Sequence, residues 1–279
     1  MTEFADLSEV INRMTGGNSG NPENLFVWID NRVDSAAANA TVAGRMSSLW
    51  QYNSSMGGSG VVPTSAVAPD NTTRGGLMQA NPSGGREKWL LGNGMTCSAA
   101  GAVLLYDRLL HNGGLSGIVT TAQTVGGTLT RNTGGIGNQI WIEIYALIGA
   151  TSRTITASYT NQDGVSGRTT KPALIGATGY REAQRLIMLP LQDGDIGVQA
   201  VDSITLSAST GTAGNFGVVI AKPIGLGLIP GAGTGYWRDY LTGLPGLPKI
   251  DTNACLALAF MANSTAAPQI MFAAGFAER

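Results

Sequence analysis

The sequence predicts a mainly β protein: a jelly-roll-like β-sandwich over residues 86–279, preceded by a helical segment and extended arm over residues 1–85. Three observations predict it. From Trp89 onward the chain gives about ten short apolar runs separated by clusters of Gly, Asn, Asp and Pro, the spacing of a sandwich. No helical pattern alternates with those runs, so a βαβ fold is not expected. The stretch Leu186–Ile229 shows the pattern most plainly. Leu186–Leu191 ends at the turn Asp193-Gly194-Asp195; Val198, Val201, Ile204 and Leu206 form a second run; Phe216–Ile220 begins a third, which Pro223 is expected to close.

Residues 2–14 read as a short helix, with Thr2 as N-cap and Phe4, Leu7, Ile11 and Met14 on one narrow seam that Gly16-Gly17 stops. A helix this short is marginal alone, so the seam docks either on its own domain or on another subunit. Leu25–Ile29 is strand-like. A second helix is expected over Ser35–Gln51, with Val33, Ala37, Ala40, Ala43, Met46 and Trp50 on its apolar face. Residues 53–86 are Ser, Gly, Pro, Thr and Asn with few large apolar side chains, the composition of a linker, arm or surface loop, and the domain boundary falls near Gly85.

In the main domain, Ala102–Leu110 reads as a strand and His111-Asn112-Gly113-Gly114 as the turn after it. Ile140, Ile142 and Ile144 alternate with Trp141, Glu143 and Tyr145, large residues on both faces, which places this strand between two layers or at an interface. Arg153–Tyr159 leads into the hairpin signal Asn161-Gln162-Asp163-Gly164. Gly225–Gly235 is expected to be flexible, and closing strands fit Ala254–Met261 and Gln269–Phe276.

Glycine supplies 40 of 279 residues and charged residues only 13%, about half the usual share, which suits assembly better than life as a free monomer. The net charge of −1 and dispersed basic residues exclude a general nucleic-acid binder. No apolar run is long enough to cross a bilayer, and the N-terminus carries no signal peptide, so synthesis in the cytoplasm is expected.

The inventory of reactive groups points away from an enzyme, and no catalytic residue, cofactor or metal is expected. His111 is the only histidine, and Cys97 and Cys255 read as free thiols. No metalloprotease, nucleophile-elbow or phosphate-loop motif occurs. Asp193 and Asp195, with Asp202, could face a cation, but Asp-Gly-Asp is first a turn. Tyr236, Trp237 and Tyr240 fit either a sugar-stacking platform or anchors in a protein interface.

Several words of the chain resemble a group of structural proteins of tailed bacteriophages. They are Leu105–Leu109, His111–Gly117, Ser158–Arg168, Leu191–Val198 and Thr210–Gly217, within residues 89–230. The resemblance implies a virion component made in the host cytoplasm and associated with the head, as a capsid decoration or cement protein or a minor capsid protein. It implies as partners the major capsid protein or other virion subunits, with no nucleic acid and no membrane. A homotrimer is expected from analogy with jelly-roll proteins. Phe4, Leu7, Ile11, Phe26, Trp28 and Trp50 are the expected arm contacts, and Trp237 and Tyr240 a second patch. The alternative is a tail-associated module that binds receptor glycans through that patch.

Overall fold

A computed structural model describes residues 8, 9, 11, 42–51, 60–241, 246–265 and 268–279, and the backbone of residues 23–30 and 52. Alternating β-branched and aromatic residues, broken by Gly, Asn and Asp, yield a mainly β sandwich of antiparallel sheets, as expected. In chain order the strands are β1 (Glu23–Asp30), β2 (Met46–Ser48), β3 (Ala66–Val67), β4 (Lys88–Cys97), β5 (Gly101–Leu115) and β6 (Gln123–Thr124). The middle of the chain adds β7 (Gln139–Ala146), β8 (Arg153–Asn161), β9 (Arg168–Thr169), β10 (Ala173–Ile175), β11 (Leu186–Leu189) and β12 (Val198–Leu206). The last are β13 (Asn215–Ile229), β14 (Gly235–Asp239), β15 (Lys249–Ile250), β16 (Leu256–Ala262) and β17 (Gln269–Glu278).

A central sheet of order β11-β7-β13-β5-β16-β2 is built on β5 and β13, each 15 residues long. β16 pairs with the first half of β5, and β3 with the second. Two smaller sheets pack side by side on one face of the central sheet. The sheet β1-β17-β4-β14 closes a core in which Val103, Leu105, Leu258 and Phe260 meet Leu90, Met95, Ile270 and Phe272. The sheet β10-β8-β12-β6 closes another, in which Leu109, Ile140, Ile142, Phe216 and Val218 meet Ile155, Tyr159, Val198 and Ile204. Asp107 lies on β5 between the two cores, where it binds the buried Arg131. The opposite face of the central sheet carries Tyr106, Trp141, Tyr145, Val219 and Ala221, with Trp50 packed on them.

Four expectations are corrected. His111–Gly114 is no turn: β5 runs through it, and Gly113-Gly114 supplies a bulge, seen as a register shift between Phe216 and Val218 of β13, with Gly114 at φ +83°. A Cβ at Gly113 would come within 2.0 Å of the Pro63 carbonyl oxygen, so glycine there admits residues 60–67 beside the sheet. Pro223 does not end its strand, and residues 225–229 belong to β13. Pro223 sits next to the third register shift between β13 and β5, beyond the last β13–β7 pair at Ala221, so its missing N–H deprives no neighbour on that side.

The third correction concerns the expected helix over Ser35–Gln51. Residues 35–41 lie outside the described residues, and the remainder forms β2 and a 3-10 turn at Trp50–Tyr52. Ser47 and Ser48 are weak helix formers, and pairing with Phe260 and Ala259 on β16 settles the matter. Fourth, residues 60–81, expected as a linker, arm or surface loop, lie along their own chain. Leu77 is buried and donates its N–H to Leu256, and Arg131 Nη1 donates to the Pro69 carbonyl at 2.8 Å. Most of the expected helix over 2–14 is outside the described residues; Ser8, Glu9 and Ile11 are helical.

Candidate functional site

The structure separates the expected contact residues. Phe4 and Leu7 lie outside the described residues, and Ile11 is half exposed. Phe26 and Trp28 stand opposite Ala273 and Met271 in the β1–β17 register, and Trp237 stands opposite Gly94, itself paired with Ala273. The register thus brings all three aromatic positions to adjacent rows of one sheet. Trp237 is 63% exposed; its indole lies over Gly92 and Gly94, where an added Cβ would come within 2.9 and 2.5 Å of the ring. Those two glycines make the bed for the one aromatic residue of the Tyr236-Trp237-Tyr240 group that faces solvent.

Tyr240 and Trp50 are placed elsewhere than expected. Tyr240 is 3% exposed within the first core, below Gly225, where a Cβ would meet its hydroxyl at 2.1 Å. Tyr236 turns inward over Gly227 and accepts a hydrogen bond from Asn93 Nδ2 at 3.1 Å. Trp50 is 1% exposed and closes the outer face of the central sheet. Trp50 is thus enclosed by the fold, whereas Tyr240 borders, with Leu104, Leu226 and Arg238, a depression in the surface.

Around the Trp50 cover, the outer face of the central sheet stays open to solvent and apolar. One row across four strands is Leu228, Ala102, Met261 and Met46; the next carries Leu226, Leu104 and Ala259. Leu226, Leu228 and Met188 are about half exposed or more. A depression of about 350 Å³ runs past Met46, Leu174, Tyr180, Met188 and Met261, and one of about 220 Å³ past Leu104, Leu226 and Arg238. Sequence reasoning missed these residues. The uniform run Leu186-Ile187-Met188-Leu189 does not say which side chains face out, and Leu226 and Leu228 lie in a stretch read as flexible.

Beneath Trp50 lies a cluster of buried polar groups on the same face. Strand alternation that sends Ile142 and Ile144 to the core sends Glu143 and Tyr145 the other way. Glu143 Oε1 accepts from the Ser48 hydroxyl and, at 2.8 Å, from Trp50 Nε1. Burial pushes its carboxyl up to about 7, against the lowering effects of Ser48, Arg108 and Trp50. Arg108 makes no ion pair with it; its guanidinium lies 4.2 Å from the Trp50 ring centroid. His111, expected in a turn, is 3% exposed and edge-on to Trp50 at 5.7 Å. Burial first, and then Arg108, pushes its imidazole down to about 2, so it is neutral.

The Asp193-Gly194-Asp195 turn is occupied by protein partners. Arg168 grips Asp195 with Nε at 2.9 Å and Nη2 at 3.0 Å, and Tyr159 and Asn161 donate to the same carboxylate. The Arg168 guanidinium above all holds this carboxyl at about 2. Asp193 pairs with Lys171. Cys97 and Cys255 are both buried free thiols. Among the described residues, no three His, Cys, Asp or Glu come together as metal ligands, and no helix is long and apolar enough to cross a membrane.

No family model matches the chain, and no curated protein does. Among solved structures it is similar to the infectious bursal disease virus Gt strain structure, with TM-score 0.18 and 6% identity over 93% of this chain and 81% of that one. Similar values relate it to the VP2 subviral particle of that virus, at TM-score 0.18, 8% identity, 92% of this chain and 80% of that one. The T=1 particles derived from the virus give TM-score 0.19, 8% identity, 93% of this chain and 78% of that one. Likeness at this level carries no argument about function.

Proposed function

We propose that the chain is a structural protein of a virion that works by binding other protein subunits, as a capsid decoration or cement protein on a phage head. The observation that carries this reading is the exposed apolar part of the outer face of the central sheet, where Leu226, Met188 and Met261 line two depressions and Leu228 stands exposed. Exposed apolar area of this kind marks a contact surface. The small share of charged residues supports the same reading, as do the resemblance of residues 89–230 to tailed-phage structural proteins and the placement of His111, Glu143 and Cys255 beneath side chains that keep substrates out. Binding across shell subunits would stabilise the assembled state by mass action alone.

The test is to add purified protein to heads that lack it and image them. Density at regular shell positions, lost when Met188 and Leu228 are changed to Asp, is the expected result. Absence from heads and presence at tails would overturn it.

The second reading, a tail module that stacks receptor sugars, rests on Trp237, whose exposed indole lies flat on the sheet. Only one of the three aromatic residues of that group faces solvent, which favours the first reading. Specific binding on a glycan array, abolished by Trp237→Ala, would reverse that preference.

A further inference from the structure

Residues 46–52 run from the edge strand β2, paired with β16, through Leu49, which enters the first core, to the turn that lays Trp50 on the outer face of the central sheet; backbone bonds hold them at the rim and polar groups beneath. At the rim, Ser48 N–H donates to the Gln184 carbonyl at 2.9 Å, Leu49 N–H to Leu258 at 3.0 Å, and Gly60 N–H to Trp50 at 3.2 Å. Beneath, the Trp50 indole stands over His111 at 5.7 Å, Tyr145 at 6.3 Å and Arg108 at 4.2 Å. Glu143 Oε1 takes both donors from the covering segment, the Ser48 hydroxyl and Trp50 Nε1. Among the described residues, neither Glu143 Oε2 nor His111 Nδ1 has a well-formed hydrogen bond, although Gln51 and Tyr145 lie close enough to Glu143 to act on its carboxyl. An acid and a base are thus buried together beneath this segment and the chain at residues 60–67.

We infer that residues 46–52 form a latch whose grip stays level across mildly acidic pH, because lifting it wets one buried acid and one buried base, Glu143 and His111, together. Other groups around the pair do not change charge in this range. On β5, Arg108 is permanently cationic, and burial raises the Tyr106 hydroxyl; on β7, burial raises that of Tyr145. Burial likewise raises the thiol of Cys255, ahead of β16. Ser47, Ser48 and Gln51 on the latch do not titrate, and at its edge Arg185, which donates to Ser47, is paired with Glu182 at 3.7 Å.

The two proton equilibria then oppose each other. Lifting the latch returns Glu143 from about 7 towards its ordinary 4.5. The closed form holds the extra proton between those values, so Glu143 alone would make opening rise about tenfold per pH unit as pH climbs through that window. Lifting returns His111 from about 2 towards 6.5. There the open form holds the extra proton, so His111 alone would make opening rise about tenfold per unit as pH falls below 6.5. Between 4.5 and 6.5 the slopes cancel.

Hydrogen exchange of the amides of residues 46–52, divided by intrinsic exchange rates, tests this in the full chain between pH 4.5 and 7. The wild type is expected to vary less than about threefold from pH 4.5 to 6.5. Glu143→Gln should unmask opening that grows about tenfold per unit on acidification, and His111→Gln opening that grows about tenfold per unit on raising the pH. Two flat variants, or two slopes of the same sign, would overturn the inference. Should either variant fail to fold, His111 remains readable as the only histidine of the chain. Its proton NMR resonances in the wild type should show no titration from pH 4 to 8, and a midpoint near 6.5 would equally overturn the inference.

Discussion

Asp107 and Arg108 are chain neighbours on β5, buried on opposite faces of one sheet, and the protein handles their charges in two different ways. Asp107 is saturated. Arg131 meets it with Nε at 2.7 Å and Nη2 at 2.6 Å, and the Cys255 N–H adds a third donor at 2.9 Å. Arg131 is satisfied in turn by the carbonyls of Pro69 and Arg108. Among the described residues, Arg108 has no carboxylate within ion-pair distance; its Nη2 lies 3.8 Å from the Cys255 sulfur and its plane rests on Trp50. The saturated pair ties the 60–81 segment to the seam between the two cores. The unsaturated cluster holds the Trp50 cover over an acid and a base whose pH dependences oppose each other. A closed ion pair makes a permanent joint, whereas an acid left short of donors makes one that pH addresses once the opposing base is removed.

The largest expected effect breaks the permanent joint. Asp107→Asn leaves Arg131 buried without a counter-charge and should cost about 3–5 kcal/mol in urea denaturation at pH 7. Glu143→Gln at pH 8 should change stability by no more than about 1 kcal/mol, because the amide keeps an acceptor for Ser48 and Trp50 and removes a poorly placed charge. Equal losses from both substitutions would erase the contrast between the two faces.

A middle-sized effect sharpens the contrast on the Glu143 side. Trp50→Phe keeps most of the ring and deletes the Nε1–H donor. It should cost about 1–3 kcal/mol at pH 8, where Glu143 is mostly ionised, and measurably less at pH 5, where the carboxyl is protonated. The same loss at both pH values would mean that the indole acts by packing alone.

The Asp195 turn behaves like the saturated pair but lies at an edge. Its carboxyl is held at about 2, below the ordinary 3.8, so the contribution is complete above 3.8 and fades as pH falls towards 2. Exchange protection of the residue 193–197 amides should therefore weaken below about pH 4 in the wild type and already be weak at pH 7 in Arg168→Gln. Unchanged protection in that variant would show that the turn holds without the ion pair.

Local signals made part of this legible in the sequence. The period-two run Gln139–Ala146, with large residues on both faces, marked a strand between two layers, and it lies between a core and the Trp50 cover. Asn161–Gly164 marked a hairpin, and β8 pairs with β9 across it. What failed was local signal with two physical outcomes. A Gly-Gly pair permits a turn or a bulge, and only the 15-residue partner β13 decides for the bulge at Gly113-Gly114. Pro223 stops a strand only where its N–H is needed. The alanine-rich approach to Trp50 fits a helix until β16 offers Met46–Ser48 an edge. For the site, Trp237 was legible as an aromatic in a turn-rich region. Its separation from Tyr240 was not, since that depends on which glycines lie beneath each ring.

That separation yields the smallest expected effect on folding and the most informative one for function. Trp237→Ala removes a 63% exposed side chain that covers only Gly92 and Gly94, so stability should move by no more than about 0.5 kcal/mol. Tyr240→Ala empties a buried site in the first core and should cost about 3 kcal/mol or more. If the exposed face of the β1-β17-β4-β14 sheet around Trp237 also binds a neighbouring subunit, Trp237→Ala weakens attachment to heads with the fold intact, whereas Tyr240→Ala weakens it only as far as it unfolds the chain. Measuring attachment and denaturation on both variants separates contact from scaffold, and a Tyr240 variant that stays folded yet loses attachment would return that residue to the surface where the sequence first placed it.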